Sequence, residues 1–178
     1  MSSSFVYGYG FETANIYFGE TLMFIRNHRD SFKKILPARK SRYADTFLEM
    51  LDKMKNEDFM HIQNIDDIST DMYDVIGEIY TENPVVMDPD ASTNYLLDIV
   101  AAIIETETGI SFEYQPGQSD EGCVGSAAII MPRCYPWEYN EIEKNLTIEK
   151  LENILTPYVK EFNMDPKEIT DIEIEYFG

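Results

Sequence analysis

The chain has 178 residues, 44% of them apolar and 13% aromatic, with a formal net charge of −19. That much apolar surface is enough for one well-buried domain and excludes intrinsic disorder in spite of the charge. The longest apolar stretch, 96–104, contains Asp98 and falls far short of the ~20 residues of a membrane span, and residues 1–4 lack the basic region of a signal peptide. A soluble cytoplasmic protein is expected, with Cys123 and Cys134 as free thiols.

Phe5, Val6, Tyr7, Tyr9 and Phe11, interleaved with Gly8 and Gly10, predict a strand whose glycines admit close backbone approach. Leu22, Met23, Ile25, Phe32, Ile35 and Leu36 approximate helical spacing over 20–36, and Pro37 ends that helix. A second helix is expected over 41–56, burying Tyr43, Phe47, Leu48, Leu51 and Met54. A third opens at Ser69 or Thr70 as N-cap and closes before Asn83-Pro84. A fourth runs from Ser92 through Leu96, Leu97, Val100, Ile103 and Ile104 to Gly109, a good helix stop.

The period then changes. Ile110, Phe112 and Tyr114 alternate with polar residues and predict a strand, which a loop over 116–122 joins to a more continuous apolar strand over 124–131 as a hairpin. A last helix opens at Leu146-Thr147, with Ile148, Leu151, Ile154, Leu155, Tyr158 and Phe162 as core face and a kink at Pro157. The closing strand turns Ile172, Ile174 and Tyr176 inward and Asp171, Glu173 and Glu175 outward. The elements predict a single α+β domain over 1–178, a small, largely antiparallel sheet of about four strands packed by four to five helices.

Charge is distributed unevenly along these elements. Residues 1–56 sum to +3, whereas 57–104 and 105–178 each sum to −11, and between Lys55 and Arg133 sixteen carboxylates occur without a lysine or arginine. Acidic residues keep proteins soluble, but a one-signed surface also attracts cationic partners. Asp67, Asp71, Asp74, Glu78 and Glu82 step by three or four residues and predict one face of the third helix, opposite Met72, Val75, Ile76 and Ile79. At ~1.5 Å rise per residue the charges fall about 4–5 Å apart, close to the ~3.4 Å spacing of phosphates along a DNA strand. Asp171, Glu173 and Glu175 predict a second row on the last strand. The alternative for the helical row is an amphipathic helix with a solvated acidic face.

Arg26, Arg29, Lys33, Lys34, Arg39, Lys40 and Arg42 form the one basic cluster, suited to RNA held by a partner or to docking on the chain's own acids, within a monomer or across a homodimer. Signatures of catalysis are weak. The two histidines, His28 and His61, belong to no nucleophile elbow, phosphate loop or zinc spacing. The run 87–92 resembles the start of a calcium loop, but Thr93 and Ile99 stand where glycine and glutamate are needed. No cofactor and no metal is expected. Tyr135, Trp137 and Tyr139, beside Arg133 and Cys134, offer either an aromatic anchor for a partner or a lid on the core.

The stretch 105–114, with 135–141 and Leu146-Thr147, resembles accessory proteins of bacterial phages and mobile elements over roughly the C-terminal 75 residues. Small acidic proteins of that setting include inhibitors of CRISPR nucleases and of restriction enzymes. The resemblance implies an inhibitor without an enzymatic site, acting in a bacterial host cell, and transfers no individual residue. The expectation is an acidic, non-enzymatic protein that binds a basic nucleic-acid-processing protein by nucleic-acid mimicry, with an RNA-guided DNA nuclease the foremost candidate. The alternatives are a dimeric assembly protein and a small hydrolase-like enzyme.

Overall fold

A computed structural model describes residues 3–81, 96–116, 123–124 and 126–177. Among them, seven helices and a five-stranded antiparallel sheet make an α+β protein. Packing divides the chain into two units, one comprising 1–15 with 108–178 and the other 16–107.

The first unit carries the sheet: β1 (Ser3–Glu12), β2 (Glu113–Gln115), β3 (Cys123–Val124), β4 (Ala128–Pro132) and β5 (Thr170–Phe177), in the order β2-β4-β1-β5-β3. The predicted hairpin is partly there, since β2 pairs with β4. The expected continuous strand over 124–131 is split, however, because Cys123 and Val124 pair with β5 at the opposite edge. The glycines of β1 meet close neighbours: a Cβ at Gly10 would lie 2.0 Å from the carbonyl oxygen of Ile129.

Alternation gives the sheet two distinct faces. Ala128, Ile130, Ile172 and Ile174 form a buried cluster on one, with Val6 and Tyr176 against it. The other face carries Phe5, Tyr7, Tyr9 and Phe11, and its cover fades along the strand: Phe11 is fully buried and Tyr9 nearly so, while Tyr7 and Phe5 are 43% and 44% exposed. The unit's helix, α7 (Ile148–Glu161), starts with Thr147 Oγ1 accepting the Lys150 N–H at 3.2 Å. It touches the covered part of this face, where Tyr9 donates its hydroxyl to Glu152 at 2.5 Å.

The core face of α7 is rotated from the expected one. Leu151, Leu155 and Val159 are buried, Phe162 follows them, and Ile148 is 61% exposed. The helix continues through Pro157 to Glu161. Of the last strand, Ile172 and Ile174 point inward as expected, and Asp171 and Glu173 are exposed.

The second unit is helical: α1 (Phe18–Asn27), α2 (Arg29–Ile35), α3 (Ser41–Asp52), α4 (Asn56–Met60), α5 (Thr70–Tyr80) and α6 (Leu96–Thr108). Two expected helices are broken, which turns five into seven. The first breaks at His28 (φ −114°, ψ 37°), whose ring stacks on Phe24 with centroids 4.0 Å apart. The second stops at Asp52 and restarts at Asn56, where the Asp58 carboxylate accepts the Lys55 N–H at 2.8 Å and so favours a fresh N-terminus. Ser69 caps α5 as expected, accepting the Met72 N–H at 3.2 Å. Gly109 (φ 73°) follows α6; the expected start of that helix at Ser92 and the turn over 87–92 lie outside the described residues. The core is built on Phe18, Leu22, Phe24, Ile25, Phe32, Phe47, Leu51 and Phe59, with Ile76 and Ile79 from α5 and the apolar side of α6. No helix among the described residues is long and apolar enough to cross a membrane.

Candidate interaction surfaces

Burial fixes the roll of α5. Met72, Ile76, Ile79 and Tyr80 are buried, so at 100° per residue Asp71, Asp74 and Glu78 share the opposite face. All three are exposed, and none has an ion-pair partner among the described residues. Seven residues of rise span about 10 Å, so three charges stand roughly 5 Å apart. Such a row destabilises an isolated helix by a few tenths of a kcal/mol per pair. Buried Lys40 meets the helix at its backbone, donating its ammonium to the Glu78 carbonyl oxygen in the last turn, where a positive charge is favourable.

The predicted row is shorter than its sequence spacing. Asp67 stands before the helix, in a 3-10 turn over Ile65–Asp67. Its carboxylate accepts the N–H groups of Gln63 at 2.9 Å and Asn64 at 3.1 Å, so it serves the turn while remaining exposed. Glu82 lies outside the described residues. An open groove of about 600 Å³ runs beside Asp67 and Asp71, with Met50, Met54 and Met72 among its apolar walls and Lys53 and His61 among its polar ones.

The second row, on β5, belongs to the other unit and is differently constituted. Asp171 is paired: Arg133, just past β4, reaches it at 2.6 Å. Glu173 is exposed and Glu175 half-buried, and neither has a cation partner among the described residues.

The basic cluster is largely engaged by neighbours in its own unit. Arg29 pairs with Asp52 and Lys33 with Asp45 at 2.8 Å, both acids on α3. The hydrogen bond from Arg29 holds the Asp52 carboxyl below its ordinary range. Arg26 bonds Asn56 at 3.0 Å and lies over the Phe59 ring, and Arg42 lies over Tyr43. Lys34 and Arg39 are exposed, and Lys40 is buried. Those two ion pairs use acids from within residues 1–56, and the long acidic stretch contributes to neither.

The histidines do not form a catalytic pair. His28 Nδ1 lies 2.8 Å from Glu107, and Ser31 donates its hydroxyl to the same carboxylate at 2.6 Å. The carboxylate is thus the shared acceptor, whereas nucleophile activation requires serine to donate to histidine. His61 lines the groove, but its ring has no hydrogen-bonded carboxylate among the described residues. No three His, Cys, Asp or Glu side chains among the described residues converge as a metal-ligand set. One carboxyl outside these surfaces is unusual: burial on α6 pushes Asp98 up to about 6.

The aromatic segment resolves into two roles. Tyr139 is half-buried, with its hydroxyl accepting the Cys134 N–H at 3.4 Å. Tyr135 and Trp137 are 64% and 76% exposed and stack on each other at 4.8 Å and 3°, so Trp137 is no lid on the core. Sequence reasoning missed a second exposed stack, Phe5 on Tyr7 at 5.9 Å; its signal was the run of alternate aromatics on β1 facing alternate acids on β5.

The chain matches no protein-family model, no curated protein and no solved structure. Surface chemistry on a described α+β fold is therefore what speaks to its function.

Proposed function

We propose that this protein is an acidic, non-enzymatic inhibitor that occupies the cationic nucleic-acid groove of a processing enzyme, foremost an RNA-guided DNA nuclease. The observation that carries this reading is the face of α5, where Asp71, Asp74 and Glu78 are exposed, share one direction and lack an ion-pair partner among the described residues. Their spacing, roughly 5 Å, approaches that of successive phosphates, so a groove lined with arginine and lysine would meet a comparable line charge. Net charge of −19 would accelerate the encounter and make it sensitive to salt. The engagement of Arg29 and Lys33 by α3 supports a protein that meets its partner through anions.

The test is a cleavage assay with a guide-loaded nuclease and matched duplex DNA, run at low and at moderate salt. The wild-type chain should block cleavage, with an affinity that falls as salt rises. The Asp71→Lys, Asp74→Lys, Glu78→Lys triple variant should lose the effect. Undiminished inhibition by that variant, with its fold verified by circular dichroism, would reject the α5 face as the contact.

A further inference from the structure

We propose that the open end of the β1–β5 face is a docking surface for an arginine-bearing segment of a partner protein, separate from the face of α5. It shares with the functional reading only the assumption of a cationic partner. In the antiparallel register Tyr7 lies opposite Glu173 and Phe5 opposite Glu175, so each exposed ring has a carboxylate as its direct cross-strand neighbour. The backbone N–H of Arg133 bonds the Tyr7 carbonyl at 2.9 Å, so the chain bearing Tyr135 and Trp137 leaves the sheet beside Tyr7. One stacked pair, Phe5 on Tyr7, thus lies on the sheet face at the end where cover fades, and a second exposed stack, Tyr135 on Trp137, follows in the segment that leaves beside Tyr7.

The chemistry of the occupant is indicated by the protein itself. On this same face Asp171, opposite Tyr9, already holds the guanidinium of Arg133 at 2.6 Å. Two residues along β5, Glu173 beside Tyr7 repeats the carboxylate–aromatic combination without a cation among the described residues. Guanidinium suits such a place better than ammonium, because its plane stacks on a ring while its N–H fork meets a carboxylate. Exposed aromatics of this kind are the usual anchors of protein interfaces.

Trp137 is the chain's one tryptophan, so its fluorescence reports on the segment that leaves the sheet beside Tyr7. Nona-arginine and nona-lysine peptides would be titrated into the full chain at moderate salt. Nona-arginine should change Trp137 emission and bind about fivefold more tightly than nona-lysine. The Tyr7→Ala, Glu173→Gln double variant should abolish that preference, and Glu173→Gln alone, which leaves the strand's apolar packing intact, should reduce it. Neutralising α5 (Asp71→Asn, Asp74→Asn, Glu78→Gln) should weaken both peptides alike and leave the preference standing. That separates failure here from failure of the nuclease reading. Equal binding of the two peptides, or a preference that survives the double variant, would overturn the proposal. So would burial of Trp137 by self-association, seen as a concentration-dependent mass in sedimentation velocity, which would give the surface to a second copy of the chain.

Discussion

The acidic face of α5 and the acidic row of β5 use the same residue types, each at the spacing its backbone geometry requires. On α5 the carboxylates are carried by a helix whose other side is core, and Lys40, which meets the helix, bonds its backbone at the Glu78 carbonyl. On β5 one of the three is claimed by Arg133, and the others stand beside exposed aromatic rings. A row of like charges is therefore not one kind of surface. Neutralisation by a residue distant in sequence turns part of the second row into structure, and aromatic neighbours give the rest a preference for flat cations.

The comparison can be broken first at the level of folding. Gly10→Ala places a methyl against the Ile129 carbonyl, so the sheet unit should lose about 3 kcal/mol or more in a urea melt. Loss much below that would mean β1 and β4 can separate without cost. On the charged surfaces, the α5 triple lysine variant should weaken nuclease binding about 100-fold, roughly 1 kcal/mol per reversed charge. Asp171→Asn, whose charge Arg133 already balances, should change it less than about twofold. Similar effects from both would erase the distinction between the rows.

Asp98 supplies a third environment for an acid, half-buried on α6 without a hydrogen bond or ion pair among the described residues. Its folded value of about 6 exceeds the ordinary 3.8, so the native state holds this proton more tightly than the unfolded chain. Below pH ~4 both states are protonated and nothing is lost; between pH ~4 and ~6 the unfolded state ionises first, and stability falls as pH rises. Discounted for partial solvation, the penalty at pH 7 is roughly 1–3 kcal/mol. Asp98→Asn should recover it, and the difference between variant and wild-type stability should grow across that window. A difference independent of pH would show that Asp98 is not desolvated. The smallest effect concerns Gly77, inside α5 on its solvent side, where a Cβ would meet no atom within 4 Å. Gly77→Ala should stabilise by about 0.5–1 kcal/mol and leave salt-dependent binding unchanged. Weakened binding would mean that a partner approaches this face more closely than charge alone requires.

Much of the fold could be read from local pattern. Periodicity placed the strands and helices, Ser69 acted as the N-cap of α5 from the Ser69-or-Thr70 pair expected there, α7 opened at Thr147, and Gly109 followed α6 with positive φ. What local pattern missed were breaks made by distant or specific contacts. His28 stacks on Phe24 and reaches Glu107, seventy-nine residues away, at the point where the first helix bends. The apolar run after residue 123 looked like one strand because hydrophobicity does not say which edge a strand will join. On the surfaces, helical spacing placed Asp71, Asp74 and Glu78 together but admitted Asp67, whose carboxylate was needed by its own turn.

Sequence alone determined the class of the fold, the one-signed charge of its longer part and the side of α5 on which the anions stand, because each depends on residue type and short-range period. Only tertiary structure decided which charges remain unbalanced and which aromatics remain uncovered. Pairing such as that of Arg133 with Asp171 joins residues thirty-eight apart, and the cover that hides Phe11 while leaving Phe5 open is set by packing, which no local spacing encodes.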